Sequence, residues 1–163
     1  AQGRTQESRL VEAVTRLQTP PEPLRTVSLI RVDPRYPGAW ETLSGFLADA
    51  IERGDGGRDW GVEDMRIHAE QGRVELWALV DGDEIFGASV TCLTTYPSRT
   101  VMEILATGTK AHSEDKWRQC LDQLKEIGRI LGVSALVGTG RHGWQRKLQC
   151  SRTRTVWEID LGD

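Results

Sequence analysis

Long apolar runs are missing from this 163-residue chain; none approaches the ~20 residues that a membrane-spanning helix needs. The polar opening from Ala1 to Leu10 holds no apolar stretch, so export by a signal peptide is not expected, and Ala1 is compatible with a removed initiator Met. Cysteine is sparse. Cys92, Cys120 and Cys150 are odd in number and widely spaced, which suggests neither a disulfide framework nor a CxxC zinc site and makes free thiols in a reducing compartment the default. No set of metal ligands stands out. A surplus of basic charge is lacking too: 21 Lys and Arg against 24 Asp and Glu leave a net charge of -3, too balanced for general binding to a nucleic-acid backbone, though a local patch stays open. Tyrosine is limited to Tyr36 and Tyr96, and no internal repeat occurs. What is present is ordinary for a globular domain, 38% hydrophobic and 28% charged residues, at a length that buries roughly two thirds of the unfolded surface around one core.

The stretch from Val74 to Gly108 organises the rest. Val74, Leu76, Ala78 and Val80 alternate with Glu75, Trp77, Leu79 and Asp81, a strand apolar on both faces. Asp81-Gly82-Asp83 supplies the positive-φ chemistry of a tight hairpin, and Glu84 to Thr94 is the return strand. Tyr96-Pro97-Ser98 breaks it, Val101 to Ala106 is a short third strand, and Thr107-Gly108 ends it.

Upstream, Leu10, Val14 and Leu17 recur at helical spacing in a segment, Gln6 to Leu17, that precedes the stiff run Thr19-Pro20-Pro21-Glu22-Pro23. This divides the chain into an N-terminal helical arm with a spacer, 1–23, and a folded domain, 24–163; the arm either packs on its own domain or docks on another subunit. Thr26 to Val32 reads as a first strand, and Trp40, Leu43, Leu47, Ala50 and Ile51 as one face of a helix ended by Gly54. Asp59 to Glu70 reads as a weaker helix. Downstream, Trp117, Cys120, Leu121, Leu124, Ile127, Gly128 and Leu131 follow the pattern of an amphipathic helix, with Ser113 at its N-cap and Gly132 past its end. Ala135 to Thr139 reads as a buried strand, parallel to Val101–Ala106 because a helical crossover joins them. A short helix through Leu148 and an alternating strand with Thr155, Trp157, Ile159 and Leu161 close the chain.

This order resembles the GNAT N-acetyltransferase fold over about Val27 to Leu161, which implies an α/β (α+β) domain: a mixed, mainly antiparallel central sheet flanked by helices. Ala106-Thr107-Gly108, Trp117 and the segment Gly140-Arg141-His142-Gly143-Trp144-Gln145-Arg146-Lys147-Leu148 resemble the GNAT-like proteins of tailed bacteriophages and prophages, a fold with a precedent inside phage particles. In GNAT enzymes the acyl-CoA pyrophosphate lies on backbone amides of a Q/RxxGxG/A loop at the start of the long helix. The corresponding loop here, Gly108 to Asp115, has one glycine and two carboxylates. The resemblance implies cofactor contacts at Thr107, Gly108, Thr109 and Lys110 if the site is intact. It also implies a catalytic base at Glu103, which is otherwise an outward-facing strand residue, and leaves the phenolic acid position empty.

His112 and His142 sit on loops at the open end of the sheet, as ligand-binding or solvated side chains. Arg141, His142, Trp144, Arg146 and Lys147 form either a tight turn plugged by Trp144 or a cationic, aromatic interaction surface. The expectation is a non-catalytic structural or assembly protein of a phage-derived particle, in the virion or host cytoplasm. It would need no cofactor and would join other phage proteins or its own copies through Leu10, Val14 and Leu17 of the arm. The alternative is an acetyl-CoA-dependent N-acetyltransferase with a non-standard phosphate loop.

Overall fold

A computed structural model describes residues 26–54, 59–139, 147–153 and 159. The elements are β1 (Val27–Val32), α1 (Ala39–Arg53), α2 (Val62–Glu70), β2 (Glu75–Asp81), β3 (Glu84–Tyr96), β4 (Arg99–Thr109), α3 (Glu114–Ile130) and β5 (Leu136–Gly138). They form one sheet in the order β1-β2-β3-β4-β5. Every neighbouring pair is antiparallel except β4 and β5, which run parallel as the helical crossover requires. The arm, with Leu10, Val14 and Leu17, lies outside the described residues, as do Arg141, His142, Trp144 and Arg146.

Local chemistry sets the turns. Gly82 takes φ +60° between β2 and β3, where a two-residue hairpin needs a left-handed residue. Gly132 takes φ +73° after α3, and the Val133 N–H reaches the Gly128 carbonyl at 2.9 Å while the Gly132 N–H reaches Arg129 at 3.1 Å. That pair of bonds is a Schellman cap, which satisfies carbonyls the helix end would leave bare.

The apolar residues segregate to the two faces of the sheet instead of making the one core the sequence suggests. On one face Leu76, Ala78, Val80, Ala88, Val90 and Ala106 pack under Ala39, Leu43 and Leu47 of α1 and Met65 of α2. On the other, Trp77, Leu79, Phe86 and Met102 pack under Trp117, Cys120, Leu121 and Leu124 of α3. The period-2 alternation of β2 is what supplies both.

β4 is longer than the sequence pattern indicates. Thr107, Gly108 and Thr109 are not loop residues; they pair with Ser89, Ala88 and Gly87 of β3. The loop before α3 therefore shrinks to Lys110–Ser113. Gly108 has a tertiary reason to lack a side chain: a Cβ there would lie 1.9 Å from the Phe46 carbonyl oxygen of α1. Glycine is required because backbone meets backbone.

Candidate active site

Glu103 sits on β4, flanked on both sides by strand, with Cys92 of β3 opposite it on one side and Val137 of β5 on the other. The residue as a whole is half-buried. The one side-chain partner it has among the described residues is the Cys92 thiol, whose Sγ lies 4.0 Å from Oε2. No cation lies within ion-pair distance of it among those residues. Cys92 packs against the cluster under α1 and α2, so Glu103 faces that side.

Immediately above Glu103 the two parallel strands part. The β4–β5 pairing ends at Ile104 and Gly138. The β3–β4 register shifts between Val90 and Thr91, which pair with Ala106 and Ile104, leaving Leu105 as the extra residue of a bulge. A bulge bends its strand and raises its twist, so β4 beyond Ile104 presents an edge that meets no strand on the β5 side among the described residues. Its peptide groups are the hydrogen-bonding capacity of that edge.

At the far end of this edge lies the N-terminus of α3. Ser113 occupies the N-cap position, as the sequence indicates, but is buried and makes no side-chain cap bond, so no hydroxyl occupies the first-turn amides. These amides and the helix dipole favour an anion. Glu114 and Asp115 oppose one. Glu114, however, pairs with Lys147 at 3.0 Å, and that hydrogen bond and charge hold its carboxyl below the ordinary range. One of the two carboxylates of that loop is thus matched by a cation. Lys110 does not point free: its Nζ is 2.8 Å from Glu84, and its N–H donates to the Phe86 carbonyl. His112, exposed, takes φ +58°. One turn into α3 the Trp117 Nε1–H is buried without an acceptor among the described residues, a donor held beneath the same helix end.

The site is therefore brought together in part. Glu103, the bulge and the start of α3 share one strand and its continuation; Thr107 and Gly108 serve the sheet. Thr107 Oγ1 is 2.8 Å from Ser89 Oγ, and Gly108 abuts α1. Tyr36 in the β1–α1 loop and Tyr96 at the β3–β4 turn are exposed, and neither hydrogen-bonds Glu103. Among the described residues no His, Cys, Asp and Glu group is arranged to hold a metal. Cys92 is the site residue that sequence reasoning missed. The signal was there: Cys92 and Glu103 are equidistant from the two-residue turn at Pro97-Ser98, so an antiparallel hairpin sets them face to face.

No protein-family model matches the chain, and no curated protein does. Solved structures do match. An aminoglycoside acetyltransferase from an uncultured soil metagenomic sample shares 17% identity, with 83% of this chain and 99% of that one covered at a TM-score of 0.61. A GNAT family acetyltransferase from Staphylococcus aureus shares 16% identity over 83% of this chain and 99% of that one at a TM-score of 0.55. The chain has the GNAT fold. A protein named as a transcriptional regulator, from Bacillus halodurans, shares this GNAT fold at 16% identity, 83% and 99% coverage and a TM-score of 0.60, so the fold by itself does not fix an activity.

No described helix of this GNAT-fold chain is long and apolar enough to cross a membrane. Two features would suit acyl-CoA: an α3 N-terminus whose Ser113 makes no side-chain cap bond, and the edge of β4 beyond Ile104, unpaired on the β5 side among the described residues. The glycine-rich loop is not part of that fit. Positive charge beside the helix end comes from Lys147 and Lys110, each already matched to a glutamate.

Proposed function

We propose that this chain is an acyl-CoA-dependent N-acyltransferase with Glu103 as its base. The observation that carries the reading is the placement of a half-buried glutamate, free of any cation among the described residues, where the parallel strands β4 and β5 part. The acetyltransferase names of structures with this fold support acyl transfer over the non-catalytic particle role expected from the missing loop and phenol.

An amine reaches neutral solution protonated and is a nucleophile only once that proton is gone. Glu103 is the acceptor for it, directly or through a water. The first-turn amides of α3 would hold the cofactor's pyrophosphate, and the β4 edge beyond Ile104 would bond the amide-bearing arm that follows it. Acyl-CoA, when bound, supplies an acyl group activated as a thioester. Amino sugars are one acceptor class to try, given the soil acetyltransferase of this fold.

The test is a thermal-unfolding titration with acetyl-CoA beside free CoA. At about 100-fold over the dissociation constant the ligand adds about 2.7 kcal/mol, a rise of roughly 5–10 °C for a chain this size. No shift at millimolar ligand would sink the reading. With transfer in hand, Glu103→Gln is expected to lower kcat by on the order of 10²-fold while leaving the melting temperature in place; unchanged turnover would remove Glu103 from the mechanism.

A further inference from the structure

Resting on the acyl-transfer reading, we infer that Cys92 is a positioning residue for Glu103: its thiol donates to Oε2 and fixes the carboxylate so that Oε1 meets the acceptor amine. Three side chains line up across the β3–β4 hairpin. Thr94 Oγ1 lies 4.0 Å from Cys92 Sγ, and Cys92 Sγ lies 4.0 Å from Glu103 Oε2, within hydrogen-bond reach for sulfur. The row Thr94, Cys92, Glu103 is set out by ladder pairs, Cys92 against Glu103 and Thr94 against Val101, so the backbone fixes the positions from which these side chains meet.

A glutamate has three rotatable bonds, and a base gains rate by being held in the geometry of the reaction. Glu103 has no other side-chain partner among the described residues. A thiol is a weak donor, yet here it is a steady one. Burial raises the Cys92 thiol above its ordinary value, the Thr94 hydroxyl lowers it, and the charge of Glu103 raises it again. The net direction is upward, so the proton stays on sulfur at neutral pH and points where an acceptor is. The other two thiols calibrate the test. Cys120 is sealed inside the α3 face, its thiol pushed up to about 12 by burial, and Cys150 is exposed.

Two measurements decide it. In the first, Cys92→Val removes the donor at nearly constant volume and Cys92→Ser keeps one. Valine is expected to lower kcat by about 3- to 10-fold with the KM for acyl-CoA unchanged, and serine to restore most of it. A valine variant with full kcat, or a serine variant as slow as valine, overturns the inference. In the second, the alkylation rate of Cys92 by iodoacetamide is read by peptide mass spectrometry, with Cys150 as the fast and Cys120 as the silent reference. Glu103→Gln takes away the charge that holds the proton on sulfur and is expected to speed Cys92 alkylation by about threefold or more. Equal rates in the wild type and Glu103→Gln overturn the contact itself. This readout needs no activity, so the two ideas fail separately. Transfer by the wild type with equal alkylation rates removes Cys92 alone; no transfer by the wild type removes the proposed function together with the catalytic role of the pair.

Discussion

The two faces of the sheet are built from residues of different size. Under α3 the sheet offers Trp77, Leu79, Phe86 and Met102, and the helix answers with Trp117, Leu121 and Leu124. Under α1, beside Leu76, Val80 and Val90, it offers Ala78, Ala88, Ala106 and Gly108, and at Gly108 the helix comes down until the Phe46 carbonyl touches the strand backbone. Bulk keeps one helix at the distance of interlocking side chains; its lack brings the other into backbone contact. Polarity divides as well. The α3 face buries Ser89 and Thr91 with their bonds made, while the α1 face carries the half-buried Glu103 and Cys92.

The sharpest way to break this contrast is Gly108→Ala. A Cβ at 1.9 Å from Phe46 O and 2.6 Å from its carbonyl carbon forces two backbones apart, at a cost of about 3 kcal/mol or more, and the melting temperature should fall by roughly 6–12 °C. A loss under about 1 kcal/mol would mean that α1 is free to rise. On the α3 face the test pairs two tryptophans. Trp77 Nε1 donates to Thr91 Oγ1 at 2.8 Å, whereas Trp117 Nε1 has no acceptor among the described residues. Denaturant unfolding should therefore show Trp77→Phe costing about 1 kcal/mol more than Trp117→Phe, since the first strands a buried hydroxyl and the second strands nothing. Equal costs would place the value of that face in volume alone.

A smaller effect with the opposite sign is expected at Gly45. It lies on the outer side of α1 with nothing within 4 Å of a built Cβ, so Gly45→Ala should stabilise by about 0.5–1 kcal/mol in thermal melts. Glycine is thus required where α1 touches the sheet and dispensable on its far side. The least effect belongs to Lys147→Ala. Glu114 is held below its ordinary value of 4.5 by Lys147, and a carboxyl lowered in the folded state adds stability above that pH and loses it as pH falls. The variant should melt slightly lower than the wild type at neutral pH, converge with it in acid, and lose the difference in high salt.

Much of this was legible. α3 announced itself because one helix face met large partners, so every buried position is a large or tightly fitted residue at the helical period; Leu131, the last of the stripe, falls past the end and is 56% exposed. β2 showed both faces, and the crossover fixed the parallel pair. The end of β4 was not legible. Thr107-Gly108-Thr109 has the composition of a loop, and only the approach of Phe46, distant in sequence, explains a glycine inside a strand. Glu103 was singled out by its place on the third strand, but its neighbour Cys92 needed the register that Pro97-Ser98 imposes. Ser113 was placed correctly at the helix start, though the role its residue type suggests is not the one it plays, because the side chain is turned inward and buried.

Ten register pairs join β4 to β3 across a two-residue turn, and three join it to β5. The first set closes a short loop and forms early; the second must wait for the 17-residue α3 to return the chain. Opening free energy follows the same order, so amide protons at Leu136–Gly138 exchange well before those at the centre of β3. Glu103 thus stands between a strand tied to β4 along ten register pairs and one tied to it along three.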